Sequence, residues 1–146
     1  MAYPNAVRNV TQRFIEVRYL LEKEMVSNIV NLLRDKGVRV HTEQQDWCET
    51  GFIDILIDPN RTIIEVKKDA SDLHRALGQL LAYTNLDWAM FHNQKRILVC
   101  GEAIPEKWYF IFKHYKIDVV YYSSIFREDF DLAELGVRQQ SKVISK

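Results

Sequence analysis

The stretch GFIDILIDPNRTIIEVKKDASDLHRALGQLLAY, residues 51–83, decides how the chain is read. Two β-branched runs, GFIDILI and TIIEVKK, are separated by Asp58-Pro59-Asn60-Arg61, whose Asp, Pro and Asn suit the first three positions of a type I turn. The two runs therefore predict an antiparallel hairpin. Charged residues interrupt strands that otherwise read as buried: Asp54 in the first, Glu65 and Lys67 in the second. Alternate side chains of a strand point to opposite faces, so Glu65 and Lys67 share one face while Ile64 and Val66 share the other. A turn centred between Pro59 and Asn60 sets Asp54 directly across from Glu65.

Two carboxylates facing each other repel unless something cationic sits between them. Lys67 supplies one positive charge on the same face. A divalent, oxygen-ligated ion such as Mg²⁺ would supply two more, and Lys67 would then stand beside it, placed to hold or activate a water. The competing reading is a solvated polar face in which Lys67 bridges the two acids.

Working outward, Ser71 is the expected cap of a helix running to about Thr84. Upstream, apolar residues at Phe14, Leu21, Met25, Ile29 and Leu32, with Ile15, Val26 and Leu33 beside them, have the helical period from Thr11 to Lys36. Thr11 is placed as its N-cap and Gly37 as the residue that ends it. The segment VRVHTEQQ alternates and reads as an edge strand. Downstream, RILVCG reads as a short apolar strand, IPEKWYFIFKHY as a helix with Pro at its start, and IDVVYYS as a last strand. The order is α-β-β-β-α-β-α-β, a mixed α/β domain with a central mixed sheet flanked by helices. The aromatic residues Trp108, Tyr109, Phe110, Phe112 and Tyr115 are expected to pack their helix on that sheet.

At about 100° per residue, Met25, Val26, Ile29, Leu32 and Leu33 define one stripe of the first helix. Glu22 falls near its centre and Glu24 almost opposite, so Glu22 is the first-helix acid expected to face Asp54 and Glu65, with Glu24 as the alternative. Arg18 stands one turn earlier on the same side, and an Arg18–Glu22 surface pair is the competing reading of Glu22.

The 146 residues suit one domain, residues 1–135, followed by a basic tail, residues 136–146, carrying Arg138, Lys142 and Lys146. Twenty Lys and Arg balance twenty Asp and Glu, so a polyanion would have to be met by a local patch rather than by global charge. No apolar run approaches the roughly 18–20 residues that cross a bilayer, and the N-terminal residues lack an apolar signal core, which leads to the expectation of a cytoplasmic protein without a membrane partner. Cys48 and Cys100 lack metal-ligand spacing and read as buried free thiols.

Asp54, then Glu65-Val66-Lys67 at the end of the next strand, then a helix with Gln79 and Tyr83, resembles the PD-(D/E)xK nuclease superfamily, whose core is the restriction-endonuclease-like fold. GQLLAY is similar to the QxxxY motif of its RecB-like members. The resemblance covers roughly Glu22 to Ser123; Ile53 stands where the family name puts Pro. It implies a metal-dependent DNA nuclease, more specifically an endonuclease, in which Asp54, Glu65 and the Val66 carbonyl hold Mg²⁺ or Mn²⁺, with Glu22 as a further ligand or base. It implies that Lys67 orients the attacking water, and that Gln79 and Tyr83 touch substrate or support the site. Arg18, Lys68, His74 and Arg75 are the expected nucleic-acid contacts, with Lys95 and Arg96 as further candidates. Cutting both strands with so small a chain implies a homodimer or higher homo-oligomer. A catalytically silent binding or interaction module of the same fold, and a nuclease acting on RNA, are the alternatives.

Overall fold

A computed structural model describes residues 21–45, 52–58, 62–85 and 95–137. The first helix, α1, is described over residues 21–35. It ends in a Schellman motif: Gly37 adopts φ 80°, its N–H donates to the Arg34 carbonyl at 2.9 Å, and Val38 N–H donates to the Leu33 carbonyl at 2.9 Å. The expected stop at Gly37 is thus observed, with Val38 packed beside the core that holds Leu33. Thr11 lies outside the described residues.

Five strands follow in one sheet whose spatial order equals the chain order: β1 (Arg39–Gln45), β2 (Phe52–Asp58), β3 (Thr62–Lys67), β4 (Arg96–Cys100) and β5 (Ile117–Tyr121). β1, β2 and β3 are antiparallel neighbours, with β1 at the edge as expected, whereas β3, β4 and β5 are parallel. Parallel neighbours need a crossover, and α2 (Leu73–Asn85) and α3 (Glu106–His114) provide the two. The order α-β-β-β-α-β-α-β and the mixed sheet agree with the sequence reading. A short helix α4 (Tyr122–Ile125) and a 3₁₀ turn (Leu132–Leu135) follow.

Side-chain alternation along the strands builds two apolar layers. On one face Met25, Ile29, Val30 and Leu33 of α1, spaced at three and four residues, cover Ile55, Ile57, Ile64, Val66, Ile97 and Val99. On the other, Leu73, Ala76 and Leu80 of α2 and Phe112 of α3 cover Leu56, Ile63, Leu98 and Cys100. Buried on both faces, β3 and β4 are the centre of the molecule.

Two local expectations change. The residue that caps the α2 segment is Asp69, not Ser71: Asp69 accepts from Ser71 N–H at 3.0 Å and opens a 3₁₀ turn (Ala70–Asp72) that leads into α2. On α3, Phe112 is buried and Trp108 packs beside it, but Tyr109, Phe110 and Tyr115 are exposed. Positions 108 and 112 are one turn apart on the sheet side, Tyr109 and Phe110 are out of that register, and Tyr115 lies past the helix end as its C-cap. Gly136 and Val137 are packed against the domain, Val137 on the α1-side core; residues 138–146 lie outside the described part.

Candidate active site

The hairpin register places the charges. Ile55 pairs with Ile64, Leu56 with Ile63 and Ile57 with Thr62, so extending the ladder by one step brings Asp54 to Glu65. Glu65 alternates with Ile64 and Val66 and so lies toward the α2 face near the C-terminal end of β3, with Asp54 beside it. Asp54 is held there by the neighbouring backbone, its Oδ2 accepting from Val66 N–H at 2.9 Å. Glu65 is 2% exposed, and its Oε1 has no hydrogen-bond partner.

An unpaired buried carboxyl oxygen is costly, and the electrostatics register that cost. Burial pushes the Glu65 carboxyl well above the usual carboxylate range, the Asp54 charge raises it further, and Lys67 only partly offsets this. Asp54 is also raised, again chiefly by burial, with the Val66 N–H and Lys67 lowering it and the nearby Glu22 charge raising it. The carboxyls open onto a cavity of about 730 Å³, lined among others by Glu22, Lys23, Lys67 and Gln79. Gln79 is half-buried on α2 and its Oε1 is likewise without a partner.

Glu22 reaches the cavity from the other layer. α1 covers the opposite face of the sheet, but at the strand's end Glu22 Oε2 accepts from Lys68 N–H at 3.1 Å. Glu24 is exposed and does not line the cavity, whereas Glu22 does. Among the described residues no three His, Cys, Asp or Glu side chains form a group able to hold one metal ion. Asp54 and Glu65 are therefore a pair, with backbone and solvent left to complete any coordination.

Among the expected nucleic-acid contacts, Lys68 and Arg75 line the cavity, whereas His74 is exposed and does not. Lys95 and Arg96 are displaced from it. They stand at the opposite end of β4, where Arg96 pairs with Ile63, while Cys100 pairs with Lys67 beside the site. There Lys95 meets Asp118 at 3.4 Å and the Ala133 carbonyl at 3.1 Å, and Arg96 donates to the Tyr115 carbonyl at 2.6 Å. Arg18 and the Tyr83 side chain lie outside the described residues, although the Tyr83 backbone is in α2.

The sequence reading missed Lys23, next to Glu22 on α1, and Asp69, Ser71 and Asp72, all of which line the cavity. It also missed Gly101. Gly101 N–H donates to the Lys67 carbonyl at 2.9 Å, and a Cβ at Gly101 would lie 2.3 Å from the Lys68 carbonyl oxygen. A glycine directly after an apolar strand is a signal of close backbone approach that could have marked it.

No family model matches the chain. No curated protein matches it either. A solved structure does: the chain is similar to the crystal structure of a repair endonuclease from Pyrococcus abyssi, with a TM-score of 0.50 and 19% sequence identity. The match covers 64% of this chain and 44% of the endonuclease chain, so it spans less than half of that protein. At this identity the likeness is one of fold. Among the described residues no helix is long and apolar enough to cross a membrane.

Proposed function

We propose that the chain is a divalent-metal-dependent nuclease of the PD-(D/E)xK type, an endonuclease that hydrolyses DNA phosphodiester bonds. The observation that carries this reading is the Asp54–Glu65 pair. Two carboxyls held side by side, one with a buried oxygen that has no partner among the described residues, next to a lysine and open to a cavity, match the needs of a hard cation better than those of a core. The structural neighbour, a repair endonuclease, supports the same reading.

In this proposal Asp54, Glu65 and the Val66 carbonyl hold Mg²⁺ or Mn²⁺. When bound, the ion supplies Lewis-acid neutralisation of the phosphate charge and lowers the cost of generating hydroxide at neutral pH. The Val66 N–H fixes Asp54 through its Oδ2. Lys67 lines the cavity, where it aligns the attacking water and offsets the negative charge gained by the phosphate in the transition state. Gln79 and Tyr83, one turn apart on α2, support the substrate side, and Lys68 and Arg75 meet flanking phosphates. A homodimer or higher homo-oligomer would bring two such sites to the two strands.

The test is a cleavage assay on supercoiled, linear, branched and single-stranded DNA and on RNA, with Mg²⁺ or with EDTA. Asp54→Ala and Lys67→Ala are expected to lose activity per folded molecule by roughly 10²–10³-fold or more. Full activity in both variants would remove the site assignment. No cleavage of any substrate by the parent protein would favour the catalytically silent module, and native mass measurement decides the oligomer.

A further inference from the structure

Three elements meet at the single peptide that follows Lys67. Its carbonyl, on Lys67, accepts from Gly101 N–H at 2.9 Å, and its N–H, on Lys68, donates to Glu22 Oε2 at 3.1 Å. Both polar atoms of this plane are therefore engaged, one by the end of β4 and one by α1. Met25, three residues along α1 from Glu22, closes the same corner: its Cε lies 3.3 Å from where a Gly101 Cβ would stand. Pinning the peptide fixes the backbone torsion of Lys67 that sets the direction of its Cα–Cβ bond. Glu22 does this from the opposite side of the sheet, since α1 packs on the face of Ile64 and Val66 while Lys67 emerges on the other.

We propose that Glu22 is a positioning residue: its carboxylate latches the Lys67–Lys68 peptide and so aims the Lys67 ammonium, and it is not a third acidic ligand. The inference rests on the reading of Lys67 as the lysine of a nuclease site. Two observations carry it. One Glu22 oxygen is already committed to a backbone N–H, and Glu22 does not form a metal-holding group with Asp54 and Glu65. The chemistry asked of a latch differs from that asked of a ligand. A latch needs only an acceptor oxygen, which an amide provides as well as a carboxylate does; as a ligand to a hard dication, a neutral amide is weaker than the carboxylate it replaces.

Glu22→Gln and Glu22→Ala separate the two roles in the full chain. Three quantities are compared: hydrogen exchange of the Lys68 amide by NMR, Mn²⁺ affinity by titration, and cleavage kinetics. Glu22→Ala should speed Lys68 exchange by roughly tenfold or more, as loss of a hydrogen bond to a charged acceptor implies, and Glu22→Gln should leave it near the parent value. Mn²⁺ affinity in Glu22→Gln should stay within about threefold of the parent. Cleavage should fall in kcat by roughly 10–10²-fold in Glu22→Ala, with KM little changed, and recover in Glu22→Gln. If Glu22→Ala fails to fold, Glu22→Asp, one methylene shorter, replaces it.

Unchanged Lys68 exchange in Glu22→Ala overturns the proposal, and so does a tenfold or greater loss of Mn²⁺ affinity in Glu22→Gln. A parent protein that neither binds Mn²⁺ nor cleaves nucleic acid defeats the nuclease reading instead, and the exchange measurement then decides the latch on its own.

Discussion

The two ends of β3 are built alike and finished differently. Each is gripped by a glycine from another segment: a Cβ on Gly136 would lie 2.4 Å from Thr62 Oγ1 at the start of the strand, and a Cβ on Gly101 would lie 2.3 Å from the Lys68 carbonyl oxygen just past its end. Each also carries a buried oxygen with no partner, Thr62 Oγ1 at one end and Glu65 Oε1 at the other. At the Thr62 end the chain closes over the oxygen, with Leu135 buried and Gly136 against the hydroxyl. At the Glu65 end the oxygen belongs to a titratable pair on a cavity of about 730 Å³. An orphaned polar atom thus marks a site only where there is room for something to reach it.

Substituting the two glycines is the strongest way to break the comparison. Gly101→Ala drives a methyl into backbone, which cannot rotate away, so it should cost about 3 kcal/mol, at the upper end for overpacking, and cleavage should fall further than stability because the Lys67–Lys68 peptide must move. Gly136→Ala meets a side chain, but at φ 74° it also forces an alanine into the left-handed region. It should cost about 2 kcal/mol, read by urea unfolding, while cleavage per folded molecule stays at the parent value. A Thr62→Ala change added to Gly136→Ala should recover the steric part and leave the backbone part. Equal loss of cleavage in both glycine variants would mean that the two ends are not functionally distinct.

Much of this was legible in the sequence. Strand alternation and the turn residues gave the pairing that brings Asp54 to Glu65, and the helical period with Gly37 gave the end of α1. What stayed hidden depends on contacts between distant segments. Neither glycine's role has a periodic signature, because each is defined by what lies across from it. Gly136 falls in sequence at the start of a basic tail, yet it is packed against Thr62. Glu22 was found by its place on the helix, but its partner is a backbone N–H that only the fold brings near. Asp69 and Ser71 are both good capping residues two positions apart, and a 3₁₀ first turn selects the earlier.

A smaller effect is expected from Glu65→Gln, and it depends on pH. Both carboxyls have folded-state values raised above the ordinary range of about 4. A raised carboxyl contributes stability that is fully present below the unfolded value and is lost as pH rises through the folded value. The metal-free parent should therefore lose stability as pH climbs above about 4. Glu65→Gln cannot ionise, so it should melt higher than the parent at neutral pH by roughly 1–3 kcal/mol, and the difference should vanish below about pH 4. Saturating Mn²⁺ should reverse the order at neutral pH by stabilising the parent alone. A parent whose melting temperature does not respond to pH or Mn²⁺ would place Glu65 with Thr62, as a buried oxygen without a task.

The smallest change is expected from Thr62→Val, which removes the other orphaned oxygen with little change in shape. The substitution loses no hydrogen bond, because Thr62 Oγ1 makes none, and it spares the strand a hydroxyl buried without a partner. The added methyl meets Gly136 at the tight side of the contact, so the gain and the crowding oppose each other, and the net should be a stabilisation under about 1 kcal/mol. This shift should be the same at every pH and indifferent to Mn²⁺, measured by thermal melting beside Glu65→Gln. The paired substitutions apply one operation, deletion of an unsatisfied oxygen, to the closed and the open end of a single strand. A Thr62→Val shift that followed pH or metal would show that the closed end communicates with the Asp54–Glu65 pair along β3, and the separation of a structural end from a chemical one would fail.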